Sequence, residues 1–293
     1  MNITFSKATR AHAEHPERNE DYLVVDRQHG LAVVCDGVGT TTGADQAARV
    51  AARTTRRRWQ HMFAQFAMSS SPISLLDLEE AARQLLEEAN QAVLALGKHL
   101  AIESPQPDEK HIFAQTTVAL ALFYQHLENC LMAYAHIGDS RVYLLRMDAA
   151  LQRLTVDDGY FLWMINKEEM NEEEAQRIEQ AHLADQLSKQ EFEHFEKRNG
   201  IAQSLGKEHI TIHVNSVALY PGDRVLLCTD GIHDNLTDAE IEAILRQGRR
   251  TAPAKLFVQG ALARSLQDES VCIRAKQDDM SAIVVTLMHA NVP

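Results

Sequence analysis

At 293 residues with 45% hydrophobic content, the chain has enough apolar material for a sizeable core. Its 41 acidic against 29 basic residues give a formal net charge of -12, which argues against a nucleic-acid or anionic-membrane partner. No apolar stretch approaches the roughly 18 residues of a spanning helix and no signal-peptide pattern is present, so a soluble cytoplasmic protein is expected. The four cysteines, Cys35, Cys130, Cys228 and Cys272, make no Cys-x-x-Cys pair and read as buried small hydrophobes in a reducing compartment.

In chain order, residues 2–10 alternate loosely and suit an edge strand. Residues 11–18 form a polar loop, in which His12 and His15 read as solvated histidines before they read as ligands. Strands follow near 22–26 and 31–35. Ala47, Ala51, Thr55, Trp59, Met62 and Phe66 recur at helical spacing and predict a helix over 44–67. Arg56-Arg57-Arg58 on that helix reads as a solvated face. Ser69-Ser70-Ser71-Pro72 breaks the chain. A second helix starts at Ser74, with Asp77 completing a capping box and Leu78, Ala82, Leu85, Ala89, Val93, Leu96 and Leu100 as its stripe. After a loop at 103–111, three β-rich runs (116–124, 130–136, 141–146) stand too close for parallel crossovers and predict an antiparallel meander. Residues 157–200 are rich in charge and read as a small helical excursion within a single domain over 1–293. Strands near 210–219 and 224–229 come next. A helix from Thr237, capped by Glu240, runs to Gly248. Another helix begins at Thr251 with Pro253 in its first turn, and a strand over 282–288 closes the domain.

The chemistry concentrates at strand ends. Leu31–Cys35 delivers Asp36-Gly37, and Arg224–Cys228 delivers Thr229-Asp230-Gly231. Asp278-Asp279 stand just before the last strand, and Asn19-Glu20-Asp21 just before the second. An Asp-Gly pair alone marks a turn more often than a site. Four acidic strand ends that converged, however, could not all stay ionised without cations, and oxygen ligands select hard divalent metals.

The ordered series Asn-Glu-Asp (19–21), Val-Cys-Asp-Gly-Val-Gly (34–39), Thr-Thr (116–117), Ile-Gly-Asp-Ser-Arg (137–141), Pro-Gly-Asp-Arg-Val-Leu-Leu-Cys-Thr-Asp-Gly (221–231) and Asp-Asp-Met-Ser (278–281) resembles the metal-dependent protein phosphatases of the protein phosphatase 2C family, bacterial type. The resemblance runs from about residue 5 to 288. It implies an α+β fold, a four-layer α-β-β-α sandwich of two antiparallel sheets flanked by helices, in agreement with the strands and helix pairs above. It implies that Asp36 bridges two Mn²⁺ or Mg²⁺ ions, with the Gly37 carbonyl on one and Asp230 and Asp278 on the other. Glu20 and Asp21 would hold metal-bound waters, and Asp139 would serve a weaker third metal. The implied reaction is hydrolysis of phosphoserine or phosphothreonine by a water bridging two metals, with phosphoproteins, a Ser/Thr kinase or its targets, as partners. No cysteine is followed by Arg six positions later, so the cysteine-nucleophile route is absent. Residues 157–200 match the family's flap in position.

The departures concern substrate. Pro16 stands where the family usually has a phosphate-binding arginine, leaving Arg18 or Arg10 to reach the phosphate. Arg18 is favoured because, in an extended stretch, it points to the same side as Glu20; pairing with Glu14 or Glu17 is the alternative. Val38 replaces a histidine of some members, Gln115 a glycine, and Asp158-Gly159-Tyr160 the usual Asp-His. A catalytically weak relative acting as a regulatory phosphoprotein-binding module is the alternative function. A nuclease-like hydrolase fits the charge poorly.

Overall fold

The computed structural model describes residues 2–13, 15–68, 73–104, 113–126, 129–247, 253–268 and 270–289. The break at 69–72, most of the loop at 103–111, the turn residues 127–128 and the boundaries at Gly248 and Thr251 lie outside them.

The strands are β1 (Asn2–Arg10), β2 (Asp21–Asp26), β3 (Leu31–Asp36), β4 (Val118–His126), β5 (Asn129–Ile137), β6 (Arg141–Leu145), β7 (Gln152–Arg153), β8 (His213–Leu219), β9 (Arg224–Cys228) and β10 (Met280–Met288). They form two five-stranded antiparallel sheets, β1-β10-β9-β6-β7 and β2-β3-β4-β5-β8. As expected, β1 lies at an edge. Helices α1 (Ala44–Met68) and α2 (Leu75–Glu103) cover the second sheet. The predicted Ser74–Asp77 capping box opens α2. Trp59 of α1 is fully buried, and its indole N–H donates to the His29 carbonyl at 2.7 Å, so the largest core side chain leaves no polar atom unpaired.

Between the sheets, Val34, Ala121, Met132, Val142, Leu227 and Ile283 interlock from both inner faces. Beyond the first sheet lie the short α6 (Asp230–His233) and, after the excursion's helices α3 (Tyr160–Asn166), α4 (Glu172–Glu179) and α5 (Lys189–Glu196), the outer α7 (Asp238–Gln247) and α8 (Pro253–Ser265). In α7, Thr237 and Glu240 make the predicted reciprocal cap.

One expectation fails. The three runs over 116–146 are not a meander: β4 and β5 form a hairpin, but β6 pairs with β9 and β7 in the other sheet. The turn 138–140 hands the chain across. Gly138 takes φ +92° there, a left-handed conformation in which an added Cβ would lie 2.8 Å from Thr117. The crossing leaves Asp139 at the common end of both sheets.

The excursion has a small core of its own, Met164, Met170, Ala175, Ile178 and Phe195, and is tied to the first sheet by charge. Arg141 of β6, 3% exposed, donates to Asp157 at 3.0 and 3.1 Å and to Glu179, while Arg153 of β7 donates to Glu179 at 2.9 Å. Burial alone would raise the Glu179 carboxyl, but Arg141 and Arg153 outweigh it and hold its pKa at about 2. Because that value lies below the unfolded one, about 4.3, the stabilisation is complete above the unfolded pKa and is lost as pH falls through about 2. Glu179→Gln, which strips Arg153 of its carboxylate partner and leaves buried Arg141 with Asp157 alone, should cost about 3 kcal/mol in urea denaturation at pH 7. A loss below about 1 kcal/mol would mean that the excursion is held by its apolar core alone.

Candidate metal centre

The acidic strand ends converge. Asp21 and Asp36 are paired partners at the ends of β2 and β3. Thr229, at the end of β9 in the other sheet, donates its hydroxyl to Asp21 Oδ2 at 2.8 Å and ties the two sheets together at this point. The Asp36 carbonyl accepts from the Thr117 N–H and the Thr116 hydroxyl, both at 2.7 Å, so the Thr-Thr pair fixes the Asp36-Gly37 turn. Only glycine fits at 37, since an added Cβ would lie 2.6 Å from the Ala44 carbonyl at the start of α1. Gly231 is tighter still: its Cβ would lie 1.9 Å from the Asp279 carbonyl oxygen. That contact brings Asp230 beside Asp278.

Asp279, read above only as part of an acidic pair, anchors a loop. It accepts from the backbone N–H of His12 at 2.6 Å and of Glu20 at 2.5 Å, and so seats Glu20 at the rim. His12 and His15 stack on each other at 4.2 Å in that loop.

The electrostatics are those of crowded carboxylates that outweigh the ammonium of Lys276 standing among them. Burial raises Asp36, and Asp230, Asp21, Asp278 and Asp139 raise it further. Asp21 is raised by burial, with Asp278 and Asp279 adding repulsion. Asp139 is raised by burial and then by Asp230. Burial and Asp230 push Asp278 up to about 7. Among the described residues, Asp21 Oδ1 and Asp230 Oδ1 are buried with no hydrogen-bond partner. Orphaned carboxylate oxygens beside other carboxylates are an all-oxygen donor set suited to hard divalent cations, so the residues fit the metals that the resemblance implies.

Three features escaped sequence reading. Lys276 places its ammonium 2.6 Å from Asp230 Oδ2, 2.7 Å from Asp234 Oδ2 and 3.0 Å from Asp278 Oδ2. Burial alone would raise Asp234, but Lys276 and Arg198 override it and hold this carboxyl low. Arg198, after α5, is 9% exposed and lies over the Phe195 ring at 3.8 Å. Its Nε has no hydrogen-bond partner among the described residues, and its nearest charge is Asp234 at 4.0 Å. With Asp139, His233 and Asp234 it lines a cavity of about 380 Å³ between the excursion and the sheet ends. The signal for Lys276 was its place two residues before Asp278, on the same side of an extended stretch. Arg18 does point toward Glu20 as expected, but it is spent in an ion pair with Glu20 and is half exposed.

Two packed antiparallel sheets between helical layers make a fold that solved bacterial proteins share. The Mycobacterium tuberculosis serine/threonine phosphatase PstP/Ppp superposes with a TM-score of 0.70 at 22% identity, covering 99% of this chain and 100% of that one. The PstP catalytic domain in complex with two manganese ions superposes at 0.67 with 20% identity, covering 98% of each chain. In sequence, the serine/threonine phosphatase Stp of Listeria monocytogenes is 22% identical over 266 residues, 90% of this chain and 91% of that protein. The protein phosphatase PhpP of Streptococcus pneumoniae is 26% identical over 231 residues, 78% of each. The model of the protein phosphatase 2C family matches residues 9–268, and the chain belongs to that family. It is a protein phosphatase of the bacterial type. No helix among the described residues is long and apolar enough to cross a membrane.

Proposed function

We propose that the chain hydrolyses phosphoserine and phosphothreonine in proteins with Mn²⁺ or Mg²⁺, and that Asp36, Gly37, Asp230 and Asp278 hold two ions, Glu20 and Asp21 their waters and Asp139 a third. The observation that carries this reading is the pair of orphaned oxygens, Asp21 Oδ1 and Asp230 Oδ1, within one crowded carboxylate set. A regulatory module that only bound phosphoproteins would have no use for carboxylates that repel both each other and the phosphate. Bound divalent cations supply a water nucleophile at neutral pH and screen the phosphate from the carboxylate wall. The chain's part is positional. Asp36 and Asp230 come from different sheets, and the Thr229–Asp21 bond and the Gly231–Asp279 contact fix their separation. The four cysteines, free and buried, suit a cytoplasmic protein, and a Ser/Thr kinase or its targets are the natural substrates. The test is Mn²⁺-dependent phosphate release from phosphothreonine and phosphotyrosine peptides side by side. Equal rates, or release unaffected by chelation, would overturn the reading.

With Pro16 unable to donate and Arg18 paired, Arg198 is the arginine best placed for the phosphate, because it is desolvated, partly unpaired and beside Asp139 and Asp234. Arg198→Ala should raise KM for a phosphopeptide about tenfold, a loss of about 1.4 kcal/mol, with Mn²⁺ affinity unchanged. If KM stays the same in Arg198→Ala and rises in Arg18→Ala, Arg18 holds the phosphate instead.

A further inference from the structure

Away from the carboxylate centre, a second group of ligand-type side chains stands where the excursion leaves and rejoins the body. His136 and His213 are directly paired across β5 and β8. Their rings stack with centroids 4.9 Å apart and planes 24° apart. Asp158 approaches from the loop after β7, with His213 Nε2 2.9 Å from its Oδ1. One nitrogen from each ring and one Asp158 oxygen lie within 4.8 Å of one another. We propose that His136, Asp158 and His213 form a separate transition-metal site, for Zn²⁺, that clamps the root of the excursion.

The scaffold is rigid where a metal site needs it. A cross-strand pair is held by the sheet ladder, so the two imidazoles share one face without ordering a loop. His136 Nε2 lies 2.8 Å from the Val156 carbonyl oxygen, a contact that a ring N–H makes. It fixes the tautomer and leaves the lone pair on the other nitrogen, as backbone carbonyls do for metal-bound histidines. Asp158 Oδ2 accepts from the Gly138 N–H at 3.0 Å, and Oδ1 from Gln203 Nε2 at 3.1 Å; Gln203 is itself held by the Thr211 N–H at 2.6 Å. His136 and Asp158 are buried, whereas His213 is 40% exposed, so the solvent side is open for an ion to enter and for water to complete its coordination.

The donor set separates this site from the carboxylate centre. Two imidazoles and one carboxylate favour Zn²⁺, Co²⁺ or Ni²⁺, while all-oxygen ligands favour Mg²⁺ or Mn²⁺. His213 Nε2 and Asp158 Oδ1, 2.9 Å apart as hydrogen-bond partners, need spread only to about 3.4 Å to become neighbours on one tetrahedral ion at bond lengths of about 2.0–2.2 Å. The location gives the ion a consequence. The Asp158 N–H donates to the Gly138 carbonyl at 3.0 Å, and its carbonyl accepts from the Ala202 N–H at 2.7 Å. Asp158 thus joins the entry of the excursion, its exit and the turn carrying Asp139.

Co²⁺ is the probe, used on the full chain after chelator treatment and with Asp230→Asn as background to weaken the carboxylate centre. One Co²⁺ per chain should give the intense visible bands of a four-coordinate nitrogen-containing site, and one equivalent of Zn²⁺ should abolish them. Adding His213→Ala, a partly exposed position, should weaken this binding at least tenfold, as should His213→Gln, with circular dichroism unchanged. Zn²⁺ should also slow amide exchange at residues 200–206 in the Asp230→Asn chain and not in its His213→Ala derivative. Absence of the bands, or bands that persist in both His213 variants, would overturn the proposal and leave Asp158–His213 as a simple ion pair.

Discussion

Asp230→Asn should lower turnover of a phosphothreonine peptide at least about 100-fold at saturating Mn²⁺, with the fold intact. Three observations set that expectation. Asp230 Oδ1 is buried without a partner, so one of its oxygens is free for a cation. After burial, Asp230 is the largest cause raising Asp36, Asp139 and Asp278, which places its charge at the centre of the set. It also starts α6 directly after β9, so its backbone is fixed by the sheet and by the Gly231–Asp279 contact. The amide keeps the shape of the carboxylate but not its charge, and the loss of an electrostatic anchor of this kind costs about 10²–10³ in rate. Thermal stability of the metal-free variant should change little, because the substitution relieves the repulsion on Asp36, Asp139 and Asp278 while giving up the ion pair to Lys276. Near-normal turnover in a folded Asp230→Asn protein would sink the assignment of Asp230.

Much of this centre was legible because each acid follows or precedes a continuous apolar run. Leu31–Cys35 and Arg224–Cys228 are buried throughout, so each could only be an inner strand, and the acid at its end had to emerge at the sheet margin. What was illegible depends on pairing. The short 137–140 turn reads as a hairpin, yet Gly138 lets it cross between sheets, and no periodicity marks a change of sheet. The two-residue β7 and the one-turn α6 are too short for any period. Asp279 looked like a duplicate of Asp278, and only the fold shows it accepting from two backbone N–H groups of a loop more than 250 residues away. Arg198 belongs to a polar stretch whose charges cannot be ranked until the cavity beneath them is seen.

Lys276→Met should have the second large effect, and on metal affinity in the opposite sense from losing an acid. The Lys276 ammonium touches three carboxylates, two of which, Asp230 and Asp278, belong to the proposed metal set. It is a cation tethered to the chain, and a divalent ion that uses the same oxygens must displace it. Removing it should lower the Kd for Mn²⁺ at least tenfold, or about 1.4 kcal/mol, as read by calorimetric titration of the chelator-treated protein. The metal-free state should suffer for the same reason. Asp234, which Lys276 and Arg198 hold ionised against burial, loses its nearest partner, and Asp230 and Asp278 lose theirs. Breaking a buried ion pair by deleting one member costs about 3–5 kcal/mol, and the partial exposure of Lys276 places this case at the lower end. The variant should therefore melt lower than the parent without metal and close to it with Mn²⁺, since bound ions then neutralise the same acids. Met keeps the length and apolar stem of Lys, so packing changes little. Should Lys276→Met bind Mn²⁺ more weakly than the parent, the ammonium would be orienting Asp230 and Asp278 for the metals and not competing with them.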